Sequence, residues 1–587
     1  MIAFLERRAS CALIALVGLM GAAPASAACQ LAKYLDLPVT MRGRQPIVTA
    51  QLNGRDAEFI LDSGAFWSTL SQATAQQFGL KIEPIYGLRL KGIGGEADAS
   101  VAKVKSFGIS TATIPNVDFL VGGTDTGRIG LLGQNVLQIG DVEYDLPHGG
   151  LRVLKATGCE TGQYVYWAAG RPMTLVELEP DKEGDRDHTI GTVVVNGQKL
   201  RAIFDTGASG SIMSLAAAKR AGLMPDSPGV VDGGETGGIG TRMTRRWVGM
   251  FESIDIGGER INHPKIAFAD IQLGGDMLIG VDFFLTHRIY VSNKQRKMFV
   301  TYEGGPLFGL KPTGARTDSG ERIDLTDKSG APTDAEGFAR RAAVAESNGR
   351  MEEAVADLDK AIALDPKQGR YYRQRAMTRR PSKGGVDSIA DLDKAIALDP
   401  ADVEARSMRA GMRLGAHRAE AAMEDLRALD TTLPPGDGRR LMLAGMADVA
   451  GHPELALANY NAWLKSHPQD ANRYDALNGR CFARAELNRE LDAALDDCNA
   501  ALKLRPGSAA ILDSRALARF RQGNFKAALA DYDAALKAGP DLAWSLYMRG
   551  LVKTKLGDTA GAKADHDAAI KIDAHVLEQA RTLGLEA

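Results

Sequence analysis

Two aspartates stand at equivalent places in two similar stretches of the chain. Asp62 follows one apolar run and begins Asp-Ser-Gly-Ala, and Asp205 follows another and begins Asp-Thr-Gly-Ala. Two carboxyl groups that face one another cannot both ionise cheaply, so they share a proton and titrate as a coupled pair. The ionised member can act as a general base on water, and the protonated member can hydrogen-bond a carbonyl oxygen. Asp62 and Asp205 are therefore candidate catalytic residues for hydrolysis without a covalent intermediate.

The sequence around the two aspartates repeats in the same register. Asn-Gly precedes each aspartate by nine residues, and a serine follows each by nine. One Asp-Ser/Thr-Gly turn is a weak signal, because loops use aspartate to hydrogen-bond their own backbone. Two turns in register indicate a duplicated module with one aspartate per copy. The hydroxyl after each aspartate can brace the pair, and the glycine permits close backbone approach. We assign this supporting role to Ser63, Gly64, Thr206 and Gly207.

Short strands and turns must position these residues. In each copy, two strand-like runs flank the Asn-Gly pair, which is a strong hairpin signal. The predicted hairpins cover Pro46–Leu61 and Gly191–Phe204. A short helix is predicted after each aspartate, with Ser71 and Ser214 as candidate N-caps. Farther along, two apolar residues and a glycine recur as Leu131-Leu132-Gly133 and Leu278-Ile279-Gly280.

These motifs resemble those of the aspartic peptidases. The likeness is greatest to the retropepsin-like bacterial group, with two copies fused as in the bilobal pepsin-like enzymes. It covers about residues 40–303 and depends on the two Asp-Ser/Thr-Gly-Ala turns and the two apolar-apolar-Gly segments. The resemblance implies two all-β lobes that meet at a cleft, one catalytic aspartate from each, and a polypeptide substrate in an extended conformation. Pairing of lobes between two chains stays an alternative to pairing within one chain.

A glycine cluster follows each aspartate. In the family that the sequence resembles, a hairpin called the flap closes over the substrate, and glycine there gives mobility and brings backbone donors close to a peptide. A plain β-turn is the alternative explanation. Pepsin-like enzymes use one flap, whereas this chain offers two candidates: Gly92, Ile93, Gly94 and Gly95 in the first copy, and Gly238, Ile239 and Gly240 in the second.

The C-terminal half has a helical pattern that recurs at a regular interval. Asp357–Pro366 recurs word for word at Asp391–Pro400. A helix-turn-helix period of about 34 residues with small residues at the helix crossings resembles the tetratricopeptide repeat. We predict about seven repeats that stack into a solenoid, with a groove for a partner protein or peptide. Prolines mark the period at Pro366, Pro400, Pro434, Pro468, Pro506 and Pro540.

The N-terminus has the features of an export signal. A basic Arg7-Arg8 pair, the apolar stretch Cys11–Met20 and an Ala-Ser-Ala cleavage site at 25–27 follow one another. We therefore predict a cleaved signal peptide and a periplasmic or secreted protein. The apolar stretch is too short to span a bilayer comfortably, and no other stretch is long enough to be a membrane helix, so we expect no membrane span after removal of the signal. Lipid attachment at Cys29 is an alternative.

Four cysteines remain after the predicted cleavage, and an even number in an oxidising compartment permits disulfides. We predict Cys29–Cys159, and also Cys481–Cys498 because these two residues lie on the two helices of the fifth repeat. Free buried thiols are the alternative. No cysteine or histidine spacing is typical of a metal site, so we predict neither metal nor cofactor. The net charge of −2 gives no electrostatic argument for nucleic-acid binding.

Together these features predict a multidomain chain, with two all-β retropepsin-like lobes followed by an all-α tetratricopeptide solenoid. The predicted function is an exported aspartic endopeptidase whose repeats recruit the substrate or a partner protein. The alternative is a catalytically silent peptide-binding scaffold of the cell envelope that works through its repeats. The predicted segments are a signal peptide (1–27), a first lobe (28–158), a second lobe (159–303), a linker (304–332) and the repeats (333–587).

Overall fold

The structure is a computed structural model of the 587-residue chain. The residues it describes are 29–42, 44–123, 125, 130–159, 163–168, 172–179, 188–238, 243–304, 307–308, 332–347, 350–379 and 386–586. The predicted signal peptide, most of the predicted linker and the flap candidates Ile239 and Gly240 lie outside the described residues.

The N-terminal half is built from β-strands and short helices. In chain order the strands are β1 (Gln30–Pro38), β2 (Thr40–Arg42), β3 (Gln45–Leu52), β4 (Arg55–Leu61), β5 (Thr69–Leu70), β6 (Ile82–Gly92), β7 (Gly95–Ile109), β8 (Ala112–Val121), β9 (Gly130–Leu132), β10 (Asp141–Asp145), β11 (Gly150–Thr157), β12 (Thr174–Glu177), β13 (Ile190–Val195), β14 (Gln198–Phe204), β15 (Ile212–Ser214), β16 (Val231–Thr236), β17 (Thr244–Met250), β18 (Ser253–Ile256), β19 (Glu259–Asn262), β20 (Lys265–Ala269), β21 (Met277–Ile279), β22 (His287–Ser292) and β23 (Lys297–Tyr302). The short helices are α1 (Gln72–Gln77), α2 (Gln134–Leu137), α3 (Leu215–Arg220) and α4 (Val281–Phe284), with one 3-10 turn (Leu146–His148).

Three sheets join these strands. The first lobe is an eight-stranded sheet in the order β2-β3-β4-β9-β5-β8-β7-β6, and the second is a nine-stranded sheet in the order β16-β17-β20-β15-β21-β14-β13-β18-β19. A six-stranded sheet, β1-β11-β10-β22-β23-β12, takes strands from both halves of the sequence. The pairing of β10 with β22 connects the lobes, with Val142 opposite Val291. One chain therefore supplies both lobes and the sheet beneath them.

The duplicated motifs occupy equivalent places in the two lobes. Asn53-Gly54 and Asn196-Gly197 turn their hairpins with positive φ at all four residues, as the predicted tight turns require. In the first lobe β4 runs parallel to β9, and in the second β14 runs parallel to β21. Asp62 directly follows β4, and Asp205 directly follows β14. Each aspartate therefore lies beside the glycine that follows the parallel partner strand, β9 or β21.

Ser71 and Ser214 cap the short helices that follow β5 and β15. The hydroxyl oxygen of Ser71 accepts a hydrogen bond from Thr74 N at 3.0 Å, and that of Ser214 accepts from Ala217 N at 3.2 Å. These bonds satisfy backbone donors that a helix N-terminus leaves without a helical partner. The helices fix the chain direction after each aspartate turn.

The C-terminal half is a run of antiparallel helix pairs. The helices are α5 (Ala335–Ser347), α6 (Met351–Leu364), α7 (Gly369–Thr378), α8 (Val386–Leu398), α9 (Val403–Gly415), α10 (Ala419–Thr432), α11 (Arg440–Val449), α12 (Pro453–Ser466), α13 (Arg473–Glu486), α14 (Leu491–Leu504), α15 (Ala509–Arg521), α16 (Phe525–Ala538), α17 (Ala543–Leu556), α18 (Thr559–Ile572) and α19 (Val576–Thr582). Helices α5 to α18 make seven pairs, and α19 closes the array, which confirms the predicted solenoid.

Small residues and ion pairs hold the repeats together. The residue five before the periodic proline is fully buried in each case: it is alanine at 361, 395, 501 and 535, and the larger Leu429 and Trp463 take the same place in the third and fourth repeats. An arginine on the first helix of most repeats pairs with a buried aspartate on the second. Arg409 and Asp425 are one such pair, with Nη2 and Oδ1 2.7 Å apart. A buried carboxylate of this kind is stable only while its partner is present.

Two disulfides fasten the chain. Cys29 is bonded to Cys159, and Cys481 on α13 is bonded to Cys498 on α14. Leu307 and Phe308, which fall in the predicted linker, are buried against the core of the lobes because both are apolar. In the described part of the chain, no helix has both the length and the apolar character needed to cross a membrane.

Candidate active site

Asp62 and Asp205 each lie in a tight turn directly after a buried strand. The Oδ1 atom of Asp62 accepts hydrogen bonds from Gly64 N at 3.0 Å and Ala65 N at 2.8 Å. Oδ1 of Asp205 accepts from Gly207 N at 2.8 Å. These bonds fix the orientation of both carboxyl groups. Both side chains are half-buried, deep between the lobes and open to the cavity above them.

The hydroxyl residues after the aspartates brace the two turns against each other. The Thr206 hydroxyl accepts from Ser63 N at 3.0 Å and donates to Leu61 O at 2.7 Å. The Ser63 hydroxyl accepts from Thr206 N at 2.9 Å and donates to Phe204 O at 2.9 Å. Ser63 and Thr206 are fully buried, so each of these four bonds forms out of contact with water. The reciprocal bonds fix the distance between the lobes at the aspartates.

The glycines after the hydroxyl residues let the carboxyl groups come together. A Cβ atom placed on Gly64 would lie 2.3 Å from Asp205 Cγ, and one placed on Gly207 would lie 2.4 Å from Asp62 Cγ. Each carboxyl group therefore rests on the backbone of the opposite turn, close enough for the two to influence each other's pKa. Any side chain larger than hydrogen at either glycine would displace a carboxyl group.

Burial and mutual proximity change the protonation of both aspartates. Burial raises the pKa of Asp62 well above its usual value, and the neighbouring charge of Asp205 raises it further. Burial also raises the pKa of Asp205, but hydrogen bonds from Asp62 and from the N–H groups of Gly207, Ala208 and Gly64 oppose that rise. Both pKa values are therefore raised, and the two carboxyl groups titrate as one coupled pair that shares a proton.

A cavity of about 1470 Å³ lies above the aspartates, and both glycine clusters border it. The hairpin of β6 and β7 turns at Ile93 and Gly94, and the hairpin of β16 and β17 approaches from the other lobe. The two hairpins meet: a Cβ atom placed on Gly238 would lie 3.5 Å from Ile93 Cβ. Both predicted flap segments, as far as the structure describes them, thus stand over the aspartates.

Comparisons with known proteins agree with this geometry. A family model described as "gag-polyprotein putative aspartyl protease" matches residues 48–139, and one described as "aspartyl protease" matches residues 191–283. Two tetratricopeptide repeat models match residues 335–368 and 514–575. The chain contains two aspartyl protease domains followed by tetratricopeptide repeats.

Searches of solved structures match part of this chain. A tetratricopeptide repeat protein from Parabacteroides merdae is 15% identical, with a TM-score of 0.34; the match covers 43% of this chain and 98% of that one. The Cut9–Hcn1 hetero-tetramer of APC/C contains a chain that is 13% identical, with a TM-score of 0.31; the match covers 43% of this chain and 49% of that one. A comparison with curated proteins gives no match.

The aspartyl protease domains contain a second pair of serines that sequence analysis missed. Ser68 donates to Asn135 Oδ1 at 2.8 Å, and Ser211 donates to Asp282 Oδ1 at 2.8 Å. Each hydroxyl also accepts from the N–H of the glycine after β9 or β21, at 3.0 and 2.9 Å. The two serines are separated in sequence by the same offset as the two aspartates, so the offset itself was the available signal. They tie the apolar-apolar-Gly segment to the aspartate turn.

The floor of the site comes from residues that no local motif marks. Gln134 Nε2 donates to Ser63 O at 2.7 Å. Tyr144, from the sheet shared by both lobes, is fully buried near both aspartates, and burial raises the pKa of Tyr144 so that it stays neutral. The bond from Gln134 supports the aspartate turn. No three histidine, cysteine, aspartate or glutamate side chains are grouped to hold a metal ion within the described ranges.

Proposed function

We propose that this chain is an aspartic endopeptidase that hydrolyses peptide bonds with a water activated between Asp62 and Asp205. The observation that carries the proposal is the mutual contact in which each carboxyl group rests on the glycine of the opposite turn. This contact holds the carboxyl groups within reach of one bridging oxygen, which is the geometry that proton sharing requires.

The pair shares one proton, which gives its two members complementary roles. The ionised aspartate takes a proton from the water as the water oxygen attacks the scissile carbonyl carbon. The protonated aspartate donates its proton to the carbonyl oxygen. When the tetrahedral intermediate collapses, the carbon–nitrogen bond breaks and the leaving nitrogen takes a proton from the dyad. Ser63, Gly64, Thr206 and Gly207 act as positioning residues.

The substrate we propose is a polypeptide in an extended conformation. The cavity lies between two β-lobes and beneath two hairpins, and an extended peptide can pair with the exposed edges of such hairpins. Its volume of about 1470 Å³ exceeds the size usual for a small-molecule site. The repeats are of a kind that binds proteins, and we propose that they recruit the substrate or a partner protein.

We also propose that the chain is exported and works in the periplasm or outside the cell. The sequence pattern of residues 1–27 supports this, as does the pair of disulfides, since disulfides persist mainly in oxidising compartments. N-terminal sequencing of the protein from separated cell fractions tests it. A mature protein beginning near Ala28 outside the cytoplasm is the expected result, and a cytoplasmic protein that still begins at Met1 contradicts export.

The test of the enzyme is cleavage of an unfolded protein between about pH 3 and 8. The wild-type chain is compared with the double variant Asp62→Asn/Asp205→Asn, after both are shown to be folded by their unfolding transitions. Cleavage by the wild type alone supports the proposal. Equal cleavage by both means that another site or a contaminant is responsible. No cleavage by a folded wild-type chain favours the scaffold function.

A further inference from the structure

A turn of the repeat array is fastened to the first protease domain. The turn between the fourth and fifth repeats, residues 467–472 (the repeat-4/5 turn), begins with His467, whose Nε2 lies 3.0 Å from Asp125 Oδ2. Asp470 Oδ2 accepts from Asp125 N at 2.6 Å. His467 and Asp470 are only 4% and 3% exposed, and the His467 ring stacks on Trp463 at 4.3 Å. Buried, charge-assisted hydrogen bonds of this kind fix the turn in place.

The same turn reaches the first flap close to its tip. Gln469 Nε2 donates to Asp98 Oδ2 at 3.1 Å, and Asp98 belongs to β7, the second strand of that hairpin. The Asp98 carbonyl oxygen lies against Gly122, where an added Cβ atom would approach it to 2.6 Å. Gly122 and Leu90 both line the cavity above the aspartates. The repeat-4/5 turn therefore stands at the rim of the cleft.

The array contacts the second flap as well. The Arg505 guanidinium pairs with Glu235 on β16, and it lies 4.7 Å from the ring of Tyr474 on α13. One segment of the solenoid, from the repeat-4/5 turn to Arg505, thus touches a hairpin of each protease domain. A polypeptide that enters the cleft from this side must pass along these repeats.

Two residues of the repeat-4/5 turn line the cavity itself. Ala471 and Asn472 border the same space as Asp62 and Asp205. The Asn472 backbone N–H donates to Asp470 Oδ1 at 2.8 Å, which fixes the main chain at this point. Asn472 is the N-cap residue of helix α13. Its half-buried side chain nevertheless makes no hydrogen bond to any residue that the structure describes. A carboxamide held in this way offers a donor and an acceptor to a molecule in the cavity.

We infer that the repeat-4/5 turn is a wall of the substrate cleft and that Asn472 is a specificity-determining residue, whose carboxamide hydrogen-bonds a polar group of the bound polypeptide. The inference rests on the proposed peptidase function and adds to it. The repeats then select the sequence that is cut, besides recruiting the protein that carries it. The substrate position that meets Asn472 is selective for hydrogen-bonding residues over apolar ones of similar size.

The experiment replaces Asn472 by a residue of negative or positive charge and identifies the peptide bonds that each variant cleaves. Wild type, Asn472→Asp and Asn472→Lys digest a peptide library of diverse sequence, and mass spectrometry records the residues on either side of each cut. The matched controls are Asn524→Asp and Asn524→Lys. Asn524 also begins a helix without a side-chain capping bond, but it is exposed and does not line the cavity. The controls account for the effect of a charge at a helix N-terminus.

We expect a change at one substrate position. Asn472→Asp raises the preference there for lysine and arginine over aspartate and glutamate by about fivefold, as a partly exposed ion pair allows, and Asn472→Lys reverses it. The Asn524 variants keep the wild-type profile. Cleavage by the Asn472 variants with the wild-type profile at every position overturns the inference and leaves the proposed function intact. Absence of cleavage by the wild-type chain overturns both.

Discussion

A single methyl group at Gly64 tests the face-to-face arrangement of the aspartates. In the variant Gly64→Ala, the new Cβ atom would lie 2.3 Å from Asp205 Cγ and 2.6 Å from each carboxylate oxygen. The obstacle is a carboxyl group that backbone hydrogen bonds hold in place. Ordinary contacts begin at 3.4 Å, so the carboxyl group must retreat by about 1 Å.

We expect Gly64→Ala to lower the rate of catalysis more than it lowers the stability of the fold. A misplacement of about 1 Å in a reacting group costs on the order of 10²-fold in rate. Overpacking a tight site lowers the free energy of unfolding by about 1–3 kcal/mol, which a domain of ordinary stability survives. Gly207→Ala, which would press on Asp62 at 2.4 Å, should behave alike because the site is nearly symmetric. Gly64→Ala and Gly207→Ala should therefore both fold, and each should have a kcat/KM about a hundredfold below that of the wild type.

The assay compares kcat/KM on an unfolded protein substrate with the urea midpoint of the same preparations. Gly415→Ala is the control, because it adds the same methyl where no atom lies within 4 Å. We expect a wild-type kcat/KM for the control and a urea midpoint no lower than that of the wild type, because Gly415 ends helix α9. A Gly64→Ala enzyme with wild-type kcat/KM would refute the reasoning, since the carboxyl groups could not then rest on the opposite turns.

Three further predictions concern the bracing bonds, a disulfide and pH. Thr206→Val leaves the buried Ser63 N–H without its acceptor and should lower the free energy of unfolding by about 1–3 kcal/mol in urea titrations. Thr206→Ser retains the hydroxyl and should keep most of the wild-type free energy of unfolding. Equal losses in both variants would contradict the role of the hydroxyl. Replacing Cys481 and Cys498 by alanine opens a loop with a sequence separation of 17 and should cost about 3 kcal/mol, and an unchanged urea midpoint would show that the bond adds nothing. The raised pKa of Asp62 means that its contribution to stability is fully present below its ordinary pKa of 3.8 and is lost as pH rises through the higher folded value. Asp62→Asn should therefore flatten the fall in unfolding free energy above about pH 4, and a parallel fall in both proteins would show that Asp62 does not cause it.

Repetition made much of the site predictable from sequence. The two aspartates, their hydroxyl neighbours and the Asn-Gly hairpins recur at one offset, so each copy supported the interpretation of the other. The repeats were predictable for the same reason, because each helix-turn-helix unit contacts mainly its neighbours. Short-range motifs of this kind encode local structure almost completely.

Contacts between distant segments were not predictable in this way. Tyr144 lies near both aspartates on a strand, β10, that pairs with β22, and no sequence motif near either strand predicts that pairing. The approach of Asn472 to the cleft depends on the docking of His467 against Asp125, 342 residues away in sequence. The raised pKa values of the aspartates likewise depend on how the fold buries the two carboxyl groups together, and that requires coordinates.

The most direct test of the central claim compares the two single variants with the double variant. If Asp62 and Asp205 act as one proton-sharing unit, Asp62→Asn and Asp205→Asn each lower kcat/KM by about 10²–10⁴-fold, and Asp62→Asn/Asp205→Asn is no slower than the slower single variant. Losses that multiply in the double variant would mean that the aspartates act independently. A single variant that keeps the wild-type rate would contradict the account.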